Sequence, residues 1–282
     1  MDVLAALALA IAALATFQAG NEANLEMGTF NIRMSTEADG PNRWEVRKPL
    51  AFEVIEQMDL DILGVQEALP AQMEDLLEAH PRYAAIGVGR DDGVAAGEYS
   101  AILFDRSRFT VASSGTIWLS DTPDVPGSTS WGNQIPRICT WGRLIDNTVK
   151  RPFVVYNCHF DHQSQSSRER SAEAMIEHRD SLFPDDLVVM MGDFNAGEDN
   201  PAVTTFLQAG LINAYRADHP TDATVGTFHG FRGGDEGAMI DYVFLSPAWE
   251  VIDAEIVRWN KEGRYPSDHN PVTAEVVWPK EE

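Results

Sequence analysis

The segment Tyr265-Pro266-Ser267-Asp268-His269-Asn270-Pro271-Val272 sets an acid beside a histidine, after a Pro-Ser turn and before an apolar strand. A histidine so placed can meet a phosphate, and its aspartate can approach a metal or a second histidine. An Asp-His pair in a loop is more often a solvated turn, so the segment needs company. Three similar segments precede it in a fixed order: Gly28-Thr29-Phe30-Asn31, Gly64-Val65-Gln66-Glu67 and Gly192-Asp193-Phe194-Asn195. Each ends a short apolar run on a polar residue.

Glu67 follows such a run, where an ionised carboxylate is costly unless it is paired or metal-bound. One carboxylate with waters and substrate oxygens is the usual way of holding Mg²⁺. A strand-end Glu facing solvent, and an Asn31 that merely caps a turn, are the bland alternatives. Asp193 and Asn195 are two apart, so in extended backbone they share a face. Following Leu187-Val188-Val189-Met190-Met191, they would project from the end of a central strand. Acid and amide together can orient an attacking water and stabilise a phosphoryl oxygen; an Asx turn is the ordinary alternative.

His159 ends Tyr156-Asn157-Cys158 and precedes Asp161-His162. No zinc-type ligand spacing accompanies it, so a histidine donating to a phosphate oxygen fits better, with Asp161 and His162 shaping the loop. Arg168 and Arg170 follow at a helix start; a guanidinium suits phosphate, although an exposed helix arginine is the default. Asp241 opens the apolar run to Leu245 and needs a buried partner. His269 is the best candidate, since an aspartate orients imidazole and favours its charged form.

Short strands alternating with helices must position these residues. Strand patterns run over 25–32, 62–66, 101–104, 109–119, 138–145, 153–160, 187–191, 239–245, 251–257 and 272–278. Helical spacing covers Ala51, Val54, Ile55 and Met58, with Pro49 expected in the first turn, and continues over 72–79, 167–182 and 201–208. The strands fall into two groups along the chain, 25–160 and 187–278. Two packed sheets with helices outside would bury them, in one domain over 25–280. A Pro/Gly/Ser-rich loop, 120–136, carries Trp131, which could wall a pocket for a sugar or base or simply anchor the loop.

The 282 residues are 44% hydrophobic and 23% charged, which is ordinary, but the net charge of −23 is not. An acidic surface disfavours long nucleic acids, whose binding depends on neutralising phosphates. Leu4 to Phe17 is an apolar, Ala-rich run, too short for a comfortable membrane span and suited to a signal-peptide core within residues 1–20. The expectation is a periplasmic or secreted protein with no stable membrane partner, although Met1-Asp2-Val3 lacks the usual positive charge. Cys139 and Cys158 lie in strand-like runs and read as buried free thiols.

The ordered motifs TFNIR, GVQE, HFDH, GDFN, IDYVFLS and SDHNPV resemble the endonuclease/exonuclease/phosphatase superfamily, from about Met27 to Trp278. The 118–128 stretch and the loop 226–231 are similar to its small bacterial metal-dependent members. The resemblance implies a four-layer αββα sandwich of the DNase-I-like kind, with the site where two sheets meet. It implies that Glu67 holds Mg²⁺ or Mn²⁺ with Asn31 beside it and Asp268 joining the metal shell. Asp193 would position or deprotonate water, supported by Asn195. His159 and His269 would contact the scissile phosphate, Asp241 would orient His269, and Arg168 would bind phosphate. Related chains often carry a lysine where this one has Ala238-Met239, which weakens the case for a polyanion. A small phosphorylated metabolite is the expected substrate (a sugar, inositol or nucleotide phosphate), and a nuclease is the alternative.

Overall fold

Two β-α-β crossovers organise the molecule. In the computed structural model, which describes residues 24–280, β1 (Asn24–Asn31) leads through a 3₁₀ segment (Glu37–Asn42) and α1 (Trp44–Met58) to β2 (Ile62–Ala68), parallel to β1. After α2 (Pro70–Ala79) come β3 (Tyr83–Ile86), β4 (Tyr99–Asp105), β5 (Phe109–Trp118) and β6 (Ile138–Asp146). The second crossover runs from β7 (Arg151–His159) through α3 (Gln165–Leu182) to the parallel β8 (Val188–Asp193). Then follow α4 (Pro201–Gln208), β9 (Ile212–Asn213), α5 (Ala214–Asp218), β10 (Asp241–Leu245), β11 (Glu250–Ile256) and β12 (Val272–Val277).

The strands form two six-stranded sheets, ordered β11-β12-β1-β2-β4-β3 and β5-β6-β7-β8-β10-β9. They pack face to face as the expected α/β sandwich. The partition does not follow the two groups along the chain: β1 to β4 and β5 to β7 part company, and β11 and β12 return to the first sheet. The parallel strands explain this. Each sheet grows outward from one crossover by antiparallel additions, so sheet membership is decided by pairing and not by sequence order.

α1 forms because Leu50, Ala51, Val54 and Ile55 make a buried stripe at helical spacing. Pro49 is its sixth residue and not in the first turn; a proline there forgoes one helical hydrogen bond. α3 is capped by Ser164, whose side chain accepts the Ser167 N–H, and α4 by Asn200, with Pro201 at its first position. Phe153, Tyr156, Met190, Phe244 and their neighbours fill the main core, and full burial of each such side chain is worth roughly 1.5–3 kcal/mol.

A polar bridge crosses this apolar layer. Gln66 Nε2 donates to Thr29 Oγ1 at 2.8 Å and to Asn157 Oδ1 at 2.6 Å, while Asn157 Nδ2 reaches Val65 O and Ala101 O in the opposite sheet at 2.9 and 2.7 Å. Gly64 permits the approach, because a Cβ there would lie 2.8 Å from Asn157 Oδ1 and Met191 Sδ.

Cys139 and Cys158, paired across β6 and β7, are buried and free. The four-residue β3 and the two-residue β9 were too short to show a period, and α5 has barely one turn. No helix among the described residues is long and apolar enough to cross a membrane. The leader reading of residues 1–20 lies outside the described residues.

Candidate active site

Parallel strands aim their C-terminal ends the same way, and the crevice beyond those ends is where α/β folds bind ligands. Here Asn31 ends β1 and Glu67 lies near the end of β2, while His159 ends β7 and Asp193 ends β8. Register pairs Asp193 with His159 on one side and with Asp241 on the other. The loop before β12 adds Asp268 and His269. Most of these groups line one cleft of about 500 Å³.

Local backbone makes the arrangement possible. Gly192 has φ +146°, and a Cβ there would collide with the Cys158 carbonyl. Glu67 has φ +64° at a register shift between Gln66 and Ala68. A non-glycine held in the left-handed region at a bulge is a strained residue re-aimed by its surroundings. Asn195 is also left-handed, at φ +47°. It is therefore not extended and does not share a strand face with Asp193. The two meet through a tight turn, Asn195 N–H donating to Asp193 Oδ1 at 2.9 Å, and the Asn195 amide donates to Phe160 O at 3.0 Å.

Asp193 Oδ2 is the centre of the site. It accepts from Asn31 Nδ2 at 2.9 Å and lies 3.6 Å from His159 Nε2 and 3.8 Å from His269 Nε2. Burial, with Asp241 close by, pushes its pKa up to about 7, which suits a carboxylate that must take a proton near neutrality.

The two histidines flanking it differ in charge. Burial opposes a cation at His269, but Asp241 holds its Nδ1 at 2.9 Å and, with Asp193 and Asp268, lifts its pKa to about 10. Burial also opposes a cation at His159, and there Arg137 and Arg90 reinforce it, so this ring stays well below the usual range and neutral. Its Nδ1 is buried without a partner, 3.8 Å from Glu98 Oε2. Glu98 is itself clamped by Arg90 through two bonds of 2.6 and 2.7 Å.

On the sheet-1 side, burial works to raise the pKa of Glu67. The Met34 N–H at 3.0 Å, the His269 charge and the Asn31 amide at 3.1 Å outweigh it and hold Glu67 below the usual glutamate range. Arg33 stands 3.7 Å from Glu67 and 3.9 Å from Asp268. Behind these lies Arg47, fully buried on α1, which donates to the carbonyls of Ile32 and Pro266 at 2.6 and 2.9 Å and to those of Arg33 and Asn42 at 2.5 and 2.9 Å. It ties the turn after β1 to the segment that carries Asp268 and His269.

Two expected substrate residues lie elsewhere. Arg168 is not in the cleft wall; its guanidinium is spent on Asp161 O and Gln165 Oε1 at 2.8 and 2.7 Å, bracing the start of α3. Trp131 lines a separate cavity on the other side of its loop. The cleft's guanidinium groups are Arg33, Arg90 and Arg137, so the missing lysine near Met239 does not leave it without positive charge. Arg137 also meets Asp161 at 3.4 Å and His162 Nδ1 at 2.9 Å. Phe228, 45% exposed, borders the cleft with its ring 5.1 Å from that of His269. The only sequence signal for the Arg90–Glu98 loop was its glycines: Gly93 and Gly97 have φ of +72° and +85°.

The donors converging on this cleft are carboxylates and amides, the hard oxygens that suit Mg²⁺ or Mn²⁺. One grouping whose atoms all lie within 4.8 Å is Asp193, Asp241 and His269. His269 is already bonded to Asp241 there, and a charged imidazole cannot ligate. The Glu67 side is the better fit. Asn31 Nδ2 sits between Glu67 and Asp193, a donor standing where a cation would satisfy both oxygens. To ligate, Asn31 must present Oδ1, which now accepts the Arg33 N–H at 3.0 Å.

The chain belongs to the endonuclease/exonuclease/phosphatase family, whose model matches residues 28–269, and it has that family's phosphoesterase fold. Enzymes of this kind generally use divalent metals. A family protein from Bacteroides thetaiotaomicron is similar at 33% identity and TM-score 0.85, covering 91% of this chain and 98% of the other. A mannosyl-6-phosphatase of the same organism is similar at 33% identity and TM-score 0.83, over 90% and 100%. An uncharacterised protein of Acanthamoeba polyphaga mimivirus is 30% identical over 164 residues, a match spanning 55% of this chain and 60% of that relative.

Proposed function

We propose that this protein is a divalent-metal-dependent phosphoester hydrolase acting on a small phosphorylated metabolite, a sugar phosphate being the best-supported class. One observation carries the reading: Asp193 Oδ2, with its raised pKa, lies between a neutral and a charged histidine at 3.6 and 3.8 Å. Asp193 takes a proton from water as the water oxygen attacks phosphorus. The ester P–O bond breaks, and the alcohol leaves with a proton from solvent or from the cleft. The His269 cation donates through Nε2 to a phosphoryl oxygen, and Arg33, Arg90 and Arg137 complement the phosphate charge. Glu67, with Asn31 and Asp268, would hold Mg²⁺ or Mn²⁺, which supplies charge stabilisation of the phosphoryl group.

The cleft volume, about 500 Å³, suits a small ligand, and the mannosyl-6-phosphatase relative favours a sugar. The net charge of −23 argues against long nucleic acids. Export to the periplasm or beyond belongs to the same proposal and is checked by cell fractionation. The deciding measurement compares hexose phosphates, inositol phosphates, nucleotides, plasmid DNA and RNA at equal phosphate, with and without EDTA. Fastest hydrolysis of a small ester, abolished by EDTA, supports the reading. Faster cleavage of DNA or RNA than of every small ester overturns it in favour of a nuclease.

A further inference from the structure

A cavity of about 590 Å³ lies apart from the catalytic cleft. It lies between the 120–136 loop and the exposed side of α3, and its size falls in the range of about 300–1,000 Å³ common for small-molecule sites. Its walls are built, not incidental. Trp131 holds φ +59°, and its indole Nε1 donates to Asp121 Oδ1 at 2.8 Å. Arg170 lies 5.1 Å from the Trp131 ring centroid and is itself fixed by Asp121 and Glu173 at 3.6 and 3.7 Å. An indole pinned at its nitrogen and backed by a guanidinium loses little entropy when a ligand meets it. Further apolar surface comes from Ile117, Trp118 and Leu182, the last 53% exposed.

The lining's charge narrows the occupant. Asp121, Asp124, Glu173 and Glu177 face one cation, Arg170, and burial holds His178 below its usual pKa. A phosphate or other anion is therefore disfavoured. These carboxylates do not converge as a metal cage among the described residues. Asp121 and Glu173 are already engaged by Arg170, which leaves Asp124 and Glu177 as acceptors beside the indole; an apolar face with several hydroxyls, as on a neutral sugar ring, matches that pairing.

Two hydrogen bonds link the cavity's walls to those of the catalytic cleft. Trp118 Nε1 donates to the carbonyl of Arg90 at 2.7 Å, and Ser164 Oγ, two residues beyond His162, donates to Trp131 O at 2.7 Å. Arg90 and His162 both line the cleft. The geometry points to a second binding site, built on Trp131, Trp118 and the α3 carboxylates, that takes an uncharged sugar residue of a glycoside. The site stands apart from the phosphate chemistry and does not depend on it.

Binding is therefore tested without turnover. The full chain, ¹⁵N-labelled at its 7 tryptophans and free of divalent metal, is titrated with methyl α-mannopyranoside, methyl β-glucopyranoside, maltose and cellobiose, with glycerol as the control. The expected result is a saturable, millimolar shift of the Trp118 and Trp131 indole N–H signals with at least one sugar. Glu177→Gln should weaken it several-fold, and Trp131→Ala should abolish it, each with an unchanged circular-dichroism melt. Because Trp131→Ala can disturb the loop, Glu177→Gln on an intact loop is the safer arm. No saturable shift with any sugar overturns the proposal. So does an equal response to glycerol, or a saturable shift with spermidine and none with any sugar, which would make this an amine site.

Discussion

Carboxylates crowd together in two places, and they fare differently. In the cleft, Glu67, Asp193, Asp241 and Asp268 surround the His269 imidazolium, with Arg33 beside them. On the outer face of the first sheet, register sets Asp253 opposite Glu275 and Glu275 opposite Glu26, on three adjacent strands. In the cleft a cation is present, and Glu67 stays below its usual pKa while His269 rises to about 10. On the outer face desolvation and neighbouring acids raise the pKa of Glu26 to about 7, with no cation among the leading influences from the described residues. The same residue types thus make a charged, working site in one place and a proton-holding liability in the other. The difference lies in the partner supplied, not in the acids.

Removing that partner should break the comparison most. His269→Ala takes the cation from the cleft, and Asp193→Asn removes the proton acceptor beside it. Each should lower kcat by about a hundredfold or more, the usual loss with general acid–base groups. Steady-state kinetics on the best small ester measures this. Activity within a few-fold of wild type in either variant would remove that residue from the mechanism.

Glu67→Gln is nearly isosteric and keeps the acceptor for Met34, but it removes a charge from the place where a cation is expected. Activity should fall at ordinary Mg²⁺, and the Mg²⁺ needed for half-maximal rate should rise about tenfold or more, in line with the cost of altered metal ligation. A titration of rate against Mg²⁺ decides it. An unchanged half-saturation point would show that Glu67 is no ligand.

A smaller effect is expected at Asp241, which acts through His269. Asp241→Asn removes the main attraction that raises the imidazole pKa, so the ring should titrate nearer its ordinary value of about 6.5. The variant's kcat should then decline above about pH 7, where the wild type still holds a cation. The double variant with His269→Ala should be no slower than His269→Ala alone. Multiplied losses would show that the two do not act as a pair.

The acids, amide and histidines could be read from sequence because each ends or opens an apolar run, where a polar residue must find a partner. The Asp241–His269 pair followed from the same reasoning and stands at 2.9 Å. Arg47, Arg90, Glu98 and Arg137 could not be read this way. Arg47 lies on a helix and the other three in or beside loops, and only the fold brings Arg90, Glu98 and Arg137 to the cleft wall. Arg168 and Trp131 show the converse, since residue type suggested a phosphate ligand and a pocket wall but could not say which side of the 120–136 loop each would face. The division of strands between sheets was hidden for a similar reason, because a parallel crossover leaves no trace of which later strands will join each edge.

The outer-face acids provide the smallest and most separable test, since Glu26 lies far in the fold from any proposed chemistry. Its half-buried carboxyl faces Glu275 on β12, Asp253 on β11 and Asp61 and Asp59 before β2. Arg108, the guanidinium paired with Asp61 at 2.7 Å, is divided between it and Asp146 at 2.8 Å. Burial is the largest cause of the upward shift, and the like charges add to it. A carboxyl with a folded pKa of about 7 against an ordinary 4.5 binds its proton more tightly in the native state. Stability should therefore fall as pH rises from about 4.5 to 7, the opposite of what a salt-bridged carboxylate gives. Because the group is half exposed, solvent screening trims the effect to about 1 kcal/mol. Glu26→Gln keeps the shape and removes the charge, so it should raise Tm at pH 8 by a few degrees and change it little at pH 5. Thermal melts of both proteins across that range measure it, and a variant less stable than wild type at pH 8 would show that Glu26 is held ionised by a favourable contact instead.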